Sequence, residues 1–381
     1  MRVLIAHPSP DVYGSDLQLV ETVRGLVETG AAVTVVLPAS GPLVRLLAEA
    51  GAEVALVPFP VLRKALMRPA GLWTLARDVA RFLRVRGVWR ETAPDLVLVN
   101  TLTLPWWMIA SRLRRVPVAC HVHEAEEAQP AAVRLALVAP LLLASVVAAN
   151  SNATKAVLLR SVPGLRRRLT VVHNGVPGPA VVTPPRQRGR TDTLRLVQVG
   201  RLSHRKGTDV ALEAVALLRA EGRDVRLRLC GAVFPGYEWF EDRLRARARS
   251  GDLAGAIEFL GHVSDPSGEV ADADIVLVPS LTESFGNAAV EALLAQRPVV
   301  ASRVQGLAEV LRDGRTGLLV EPSRPEALAA AIRRLADDPG LAARLAAAGR
   351  ADAATRFGVA EYRAKLTTLL GVVPSRYGSG Q

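Results

Sequence analysis

The chain has 381 residues, half of them apolar and 22% charged, with two cysteines and a formal net charge of +12. That length suits two domains, each able to bury its own core, and the apolar share excludes a disordered chain. So few cysteines exclude a disulfide framework, and the arginine-rich charge, with a pI near 10.7, favours anionic partners: nucleotide phosphates, nucleic acid or an anionic membrane surface.

The opening Met-Arg-Val-Leu-Ile-Ala-His-Pro reads as a strand, Val3–Ala6, and lacks the long apolar core of a signal peptide. A cytoplasmic protein is expected. Pro8-Ser-Pro-Asp-Val-Tyr-Gly14-Ser15-Asp16 follows as a strand-to-helix turn, for which Gly14 is suitable. Further strands are predicted at Val33–Leu37, Val54–Val57, Leu96–Val99, Val118–His121, Val146–Ala149 and Leu169–Val172. Strands alternating with helical stretches are the signature of parallel sheets with crossover helices.

Between Arg63 and Arg90, the cations Arg63, Lys64, Arg68, Arg77, Arg81, Arg84, Arg86 and Arg90 interleave with Trp73, Phe82 and Trp89. Such a stretch suits either a membrane interface or a surface helix with a solvated basic face. The run Ala131–Ala149 is broken by Arg134 and Pro140, whereas a spanning helix needs roughly 20 uninterrupted apolar residues. It is expected as a buried helix followed by a buried strand. His121 and His123 share one face of the fifth strand by alternation. They read as satisfied buried histidines or, with Glu124, as a fragment of a metal site; metal is discounted because no further ligands cluster nearby.

Four prolines between Pro177 and Pro185, then the polar string Arg186–Asp192, predict a linker over 177–192 between domains at 1–176 and 193–357. The second half restarts the pattern with Leu194–Val199, Val225–Leu229, Ile257–Leu260, Ile275–Val278, Val299–Ala301 and Gly317–Val320. Ala211, Ala214, Val215 and Leu218 supply the apolar stripe of its first helix. The fold expected is α/β, two doubly wound Rossmann-like domains in tandem, facing each other across a cleft. Ligands in such sheets bind outside the carboxyl ends of the strands.

Two features carry chemistry. Arg201 and Lys206 stand five residues apart just past a strand end, and Glu283 and Glu291 have seven residues between them around a predicted helix start. Two fixed cations suit a diphosphate, and two carboxylates suit sugar and ribose hydroxyls. Phe285, Gly286 and Asn287 lie where that helix should begin, so their N–H groups can meet an anion. Together these residues point to transfer of a sugar from a nucleotide. Asp272-Ala-Asp274 offers a metal-like pair, but its place between a helix end and a strand reads as capping, and no metal is expected.

Arg-x4-Lys-Gly followed by Glu-x7-Glu, with Pro-Ser-Leu-Thr-Glu-Ser-Phe-Gly, Pro-Val-Val-Ala-Ser and Gly-Leu-Leu-Val-Glu-Pro around them, resembles family 4 of the glycosyltransferases. These are retaining enzymes of the GT-B fold, and the resemblance runs over essentially the whole chain. It implies an N-terminal domain that binds the acceptor, and a C-terminal helix, 358–373, that crosses back onto that domain. It also implies that Arg201 and Lys206 hold the leaving diphosphate, Glu283 the transferred sugar and Glu291 the ribose. The backbone around Val263 would read the nucleobase, Gly14 would sit at the donor phosphates, and His123, rather than His121, would line the cleft beside the reacting sugar. A UDP- or GDP-sugar is the implied donor, with an acceptor in cell-surface glycan, polysaccharide or glycolipid synthesis and no cofactor. The N-terminal loop departs from the family's usual glycine pair, having Gly14 and then Ser15. A sugar-nucleotide epimerase or phosphorylase of the same fold is the nearest alternative, and the scarcity of lysines encourages neither. A nucleic-acid-binding protein is less favoured, since no recognition module is present. A dehydrogenase is disfavoured because no Gly-x-Gly-x-x-Gly follows a strand.

Overall fold

A computed structural model of the chain describes residues 1–12, 14–62, 69–84, 86–124, 129–186, 189 and 192–371. Among these residues the chain forms two parallel sheets. The first holds β1 (Arg2–Ala6), β2 (Ala32–Leu37), β3 (Glu53–Leu56), β4 (Leu96–Val99), β5 (Val118–Val122), β6 (Val146–Ala149) and β7 (Leu169–Val171), in the order β3-β2-β1-β4-β5-β6-β7. The second holds β8 (Leu194–Val199), β9 (Val225–Cys230), β10 (Ile257–Gly261), β11 (Ile275–Val278), β12 (Val299–Ser302) and β13 (Leu318–Val320), in the order β10-β9-β8-β11-β12-β13.

The composition of the strands explains this arrangement. β4 and β11 read Leu-Val-Leu-Val and Ile-Val-Leu-Val and are buried throughout, as strands covered by helices on both faces must be. Val3 pairs with Val33 on one side and Leu96 on the other, so β1 and β4 meet where the strand order reverses. β8 and β11 meet in the same way in the second sheet. Each reversal opens a crevice at the carboxyl ends of the strands, where side chains of the following loops converge.

The chain divides into two compact units, Met1–Gly175 with Val359–Gln381, and Val176–Gly358. The stretch predicted as a linker is tied to the second unit. Arg186 bonds Asp274 at 3.0 Å, and the Thr183 carbonyl accepts from Arg297 at 3.1 Å. The helix Val359–Gly371 belongs to the first unit, where Tyr362, Leu366 and Leu370 join Leu19, Val23 and Leu26 of the helix Gly14–Glu28 in one core cluster. Thr22 Oγ1 and Tyr362 Oη are 2.5 Å apart, and Arg363 pairs with Glu21 at 2.5 Å. The last two positions of the predicted 358–373 helix and the Pro-Ser-Arg-Tyr-Gly-Ser-Gly-Gln tail lie outside the described residues.

Two expectations are corrected. The run Ala131–Ala149 does hold a helix, Ala131–Val138, and then a 3₁₀ turn at Pro140 and the strand β6, but the helix is not buried. Only Val138 of it is, and Leu135 is 51% exposed, because the helix packs mainly against the helix Asn152–Ser161 and the turn at Pro140. In the basic stretch, Arg63, Lys64 and Arg68 lie outside the described residues, and Trp73, Phe82 and Trp89 do not share a surface. Nine residues of helix turn the chain through about two and a half turns, so Trp73 and Phe82 point oppositely on the helix Pro69–Arg84. Trp73 is 83% exposed, whereas Phe82 and Trp89 pack with Phe59 and Trp107 in the core. Among the described residues no helix is long and apolar enough to cross a membrane. Cys120 and Cys230 are both free and buried.

Candidate active site

In the second unit, the loop after β8 is built around one glycine. Gly207 has φ +65°, and a Cβ there would lie 1.9 Å from the Pro279 carbonyl oxygen, so only glycine lets the two loops touch. Gln198 of β8 donates to the Lys206 carbonyl at 3.0 Å and to Thr208 Oγ1 at 3.2 Å, fastening the turn before the helix Thr208–Ala220. Arg205 donates to the Thr282 carbonyl at 3.0 Å. This stitching brings Lys206, 77 residues away in sequence, against Glu283, and the ammonium and carboxylate form an ion pair. Ser280 Oγ donates to the same carboxylate at 3.3 Å.

Glu283 is buried, which by itself would raise its carboxyl. The charges of Lys206 and Arg205, with the hydrogen bonds from Lys206 and Ser280, instead hold it below the usual carboxylate range. Glu291, on the helix Asn287–Leu294, is in the opposite state. Burial raises its pKa against the pull of Lys206, and its carboxylate makes no hydrogen bond or ion pair among the described residues. Gly286 precedes that helix with φ +113° and no side-chain cap, and a Cβ there would meet Leu307 at 2.5 Å. Phe285 is buried against Phe357, and Asn287 opens the helix. Arg201 stacks its guanidinium over Phe234, 3.1 Å from the ring centre. Val263 follows β10 and packs on the core beside Val276 and Val278.

The spacing of motifs missed Gln305. Its backbone has φ +31°, unusual for a side chain-bearing residue. Its Oε1 accepts from the Glu283 amide at 2.9 Å, while the Gly306 N–H donates to the Glu283 carbonyl at 3.0 Å. The two acids of the metal-like pair are taken by arginines. Asp274 accepts from the Arg195 amide at 2.8 Å and from Arg186, and Asp272 from Arg195 at 2.5 Å and Arg228 at 3.1 Å. Among the described residues no group of three or more His, Cys, Asp or Glu is placed to hold a metal.

In the first unit, polar side chains gather at the carboxyl ends of β1, β4, β5 and β6. His7 Nε2 lies 2.8 Å from Asp16, Asn100 Nδ2 lies 3.1 Å from His7 Nδ1, and His123 Nε2 lies 3.0 Å from Asn100 Oδ1. The His123 carbonyl accepts from Asn150 at 3.1 Å. Burial holds the His123 imidazole well below its ordinary pKa, with His121 and His7 adding to the effect, and pushes His121 down to about 3. Both rings are therefore neutral. His121 stacks on Tyr362 at 6.1 Å and lies deeper than His123. Gly14 begins the first helix. His7, Asp16 and Asn100 carried no signal in the sequence beyond lying at strand or helix ends.

Two doubly wound parallel sheets are the architecture of the GT-B fold, and the similarities that follow make the chain a glycosyltransferase that uses a nucleotide-sugar donor. Two family models match: Glycosyltransferase Family 4 over residues 13–177 and Glycosyl transferases group 1 over residues 184–352. A D-inositol 3-phosphate glycosyltransferase of Nocardioides sp. is 30% identical over 91% of this chain and 84% of its own. A glycogen synthase of Mycobacterium tuberculosis is 35% identical over 49% of this chain and 44% of its own. Among solved structures, HepE of Anabaena in complex with UDP and glucose superposes with a TM-score of 0.82 at 26% identity, over 98% of this chain and all of that one. The chain belongs to glycosyltransferase family 4.

Proposed function

We propose that the chain is a retaining, metal-independent transferase that moves a sugar from a UDP-sugar to an acceptor hydroxyl in cell-surface glycan, polysaccharide or glycolipid synthesis. The observation that carries this reading is the pairing of Lys206 with Glu283, close to Glu291, whose buried carboxylate feels the charge of Lys206 but makes no hydrogen bond or ion pair among the described residues. A cation meant for a phosphate and a carboxylate meant for sugar hydroxyls neutralise each other until a donor separates them. Lys206 and Arg201 then meet the diphosphate, with the backbone at Phe285, Gly286 and Asn287 beside it. Glu283 accepts from the sugar, Glu291 from the ribose, and the backbone near Val263 from the base. In the first unit, His123 meets a hydroxyl of the reacting sugar, and Gly14 lies at the phosphates.

As the acceptor oxygen bonds to the anomeric carbon, the bond from that carbon to the phosphate oxygen breaks on the same face. The leaving phosphate takes the acceptor's proton, so charge and atoms balance without an added base. Fixed cations and amides stabilise the negative charge that develops on the phosphate. Uridine is supported by the UDP and UDP-glucose complexes of HepE; guanosine is the alternative base.

The test is thermal shift with UDP, GDP and NAD, followed by product analysis. UDP at 100 times its Kd should stabilise the protein by about 2.7 kcal/mol, NAD should do nothing, and the product should keep the donor's anomeric configuration by proton NMR. Activity should survive EDTA. Stabilisation by NAD alone, or an inverted product, would sink the reading.

A further inference from the structure

The buried polar chain in the first unit has a direction, and that direction fixes what His123 can do. We propose that Asp16, His7 and Asn100 are positioning residues that lock His123 as the Nε2–H tautomer, so that its bare Nδ1 accepts a hydrogen bond from a substrate hydroxyl. The substrate half of this inference rests on the glycosyltransfer reading above; the tautomer half does not.

All four side chains are at most 9% exposed, so each must find its partner within the chain. An ionised carboxylate can only accept. His7 Nε2, 2.8 Å from Asp16 Oδ1, therefore carries a hydrogen, and in the tautomer with that one ring hydrogen Nδ1 is an acceptor. Asn100 must then turn its NH₂ toward His7, at 3.1 Å, and its oxygen toward His123 Nε2, at 3.0 Å. An amide oxygen cannot donate, so His123 Nε2 carries the hydrogen and Nδ1 keeps a lone pair. That Nδ1 is buried and has no partner among the described residues. Running the chain the other way, from a doubly protonated His7, would flip Asn100 and leave an N–H at His123 Nδ1 with nothing to receive it. A buried orphan donor is rarer than a buried orphan acceptor. The ring is further held by its carbonyl bond from Asn150 and by its own amide, which donates to Glu124 at 3.2 Å. A sugar hydroxyl is the chemistry that fits, because it donates one hydrogen in a single direction.

The test uses the full chain labelled with ¹⁵N-histidine and long-range ¹H–¹⁵N correlation. Both His7 and His123 should show a protonated Nε2 and an unprotonated Nδ1. A protonated Nδ1 on His123 would overturn the proposal whatever the activity. Asn100→Leu should scramble the His123 tautomer and lower kcat about tenfold, while Asn100→Asp, which still accepts from His123 but cannot donate to His7, should keep the His123 tautomer and draw a second hydrogen onto His7 Nδ1. Wild-type kcat in Asn100→Leu would overturn the hydroxyl contact. If Asn100→Leu does not fold, Asp16→Asn supplies the same readout, because an amide there no longer forces His7 Nε2 to donate. Failure of the glycosyltransfer reading is separate: it would leave the wild-type spectrum unchanged and show as an absence of UDP stabilisation and turnover.

Discussion

The pair of Lys206 and Glu283 is where stability meets the proposed transfer chemistry. Glu283 is buried and ionised because Lys206 lies against it. Its folded pKa is below that of an exposed carboxylate, so its contribution is fully present above the unfolded value, about 4.3. That contribution is lost as pH falls through the lower folded value. Lys206→Met removes the partner and leaves a buried charge, which destabilises by about 3 kcal/mol near neutral pH. Urea midpoints at pH 7 and below pH 4 check this: the gap between variant and wild type should be wide at the first and narrow at the second. Equal gaps would mean that the pair contributes nothing. Turnover in the same variant should fall about a hundredfold or more, through loss of a charge on the leaving group. Reading of the sequence found the two members separately, from Arg-x4-Lys and Glu-x7-Glu, but no periodicity links positions 77 apart. Gln305 was invisible for a related reason, since its role lies in a backbone turn with φ +31° and one amide contact across a loop.

At the scale of elements, the strands were the legible part. β4 and β11 are apolar and buried at every position, and β5 is buried throughout with His121 its one polar residue, so composition marks them, and pairing in parallel follows from the helices between them. Helix faces were less legible. Trp73 and Phe82 belong to one helix, and both are aromatic among cations, yet one is in water and the other in the core. Only the position of the sheet decides which face turns inward. The final helix shows how much depends on such a choice. Tyr362 is fully enclosed against the helix Gly14–Glu28 and bonds Thr22. Tyr362→Ala should therefore cost about 3–5 kcal/mol, and Tyr362→Phe only about 1 kcal/mol. Chemical denaturation of the two variants measures the difference. Similar small losses in both would show that the ring is not part of the core.

For the whole molecule, the charge of +12 remains the property with the widest reach. With Phe82 and Trp89 in the core, attraction of the first unit to a membrane must rest on exposed cations such as Arg77 and Arg81, helped by Trp73. Each basic residue near an anionic surface contributes about 1 kcal/mol, screened by salt. Sedimentation with phosphatidylserine vesicles is expected at low ionic strength and should vanish entirely at high salt. Binding that persists in high salt would mean that apolar insertion dominates, and no sedimentation at either would favour a freely diffusing acceptor. One feature of the fold also sets a timetable. The helix Val359–Gly371 completes the first unit although Val176–Gly358 separates it from the rest. A ribosome therefore delivers every residue of the second unit before it delivers the cover for Leu19, Val23 and Leu26. The unit begun first is the one finished last, and its early apolar face must wait for most of the message to be read.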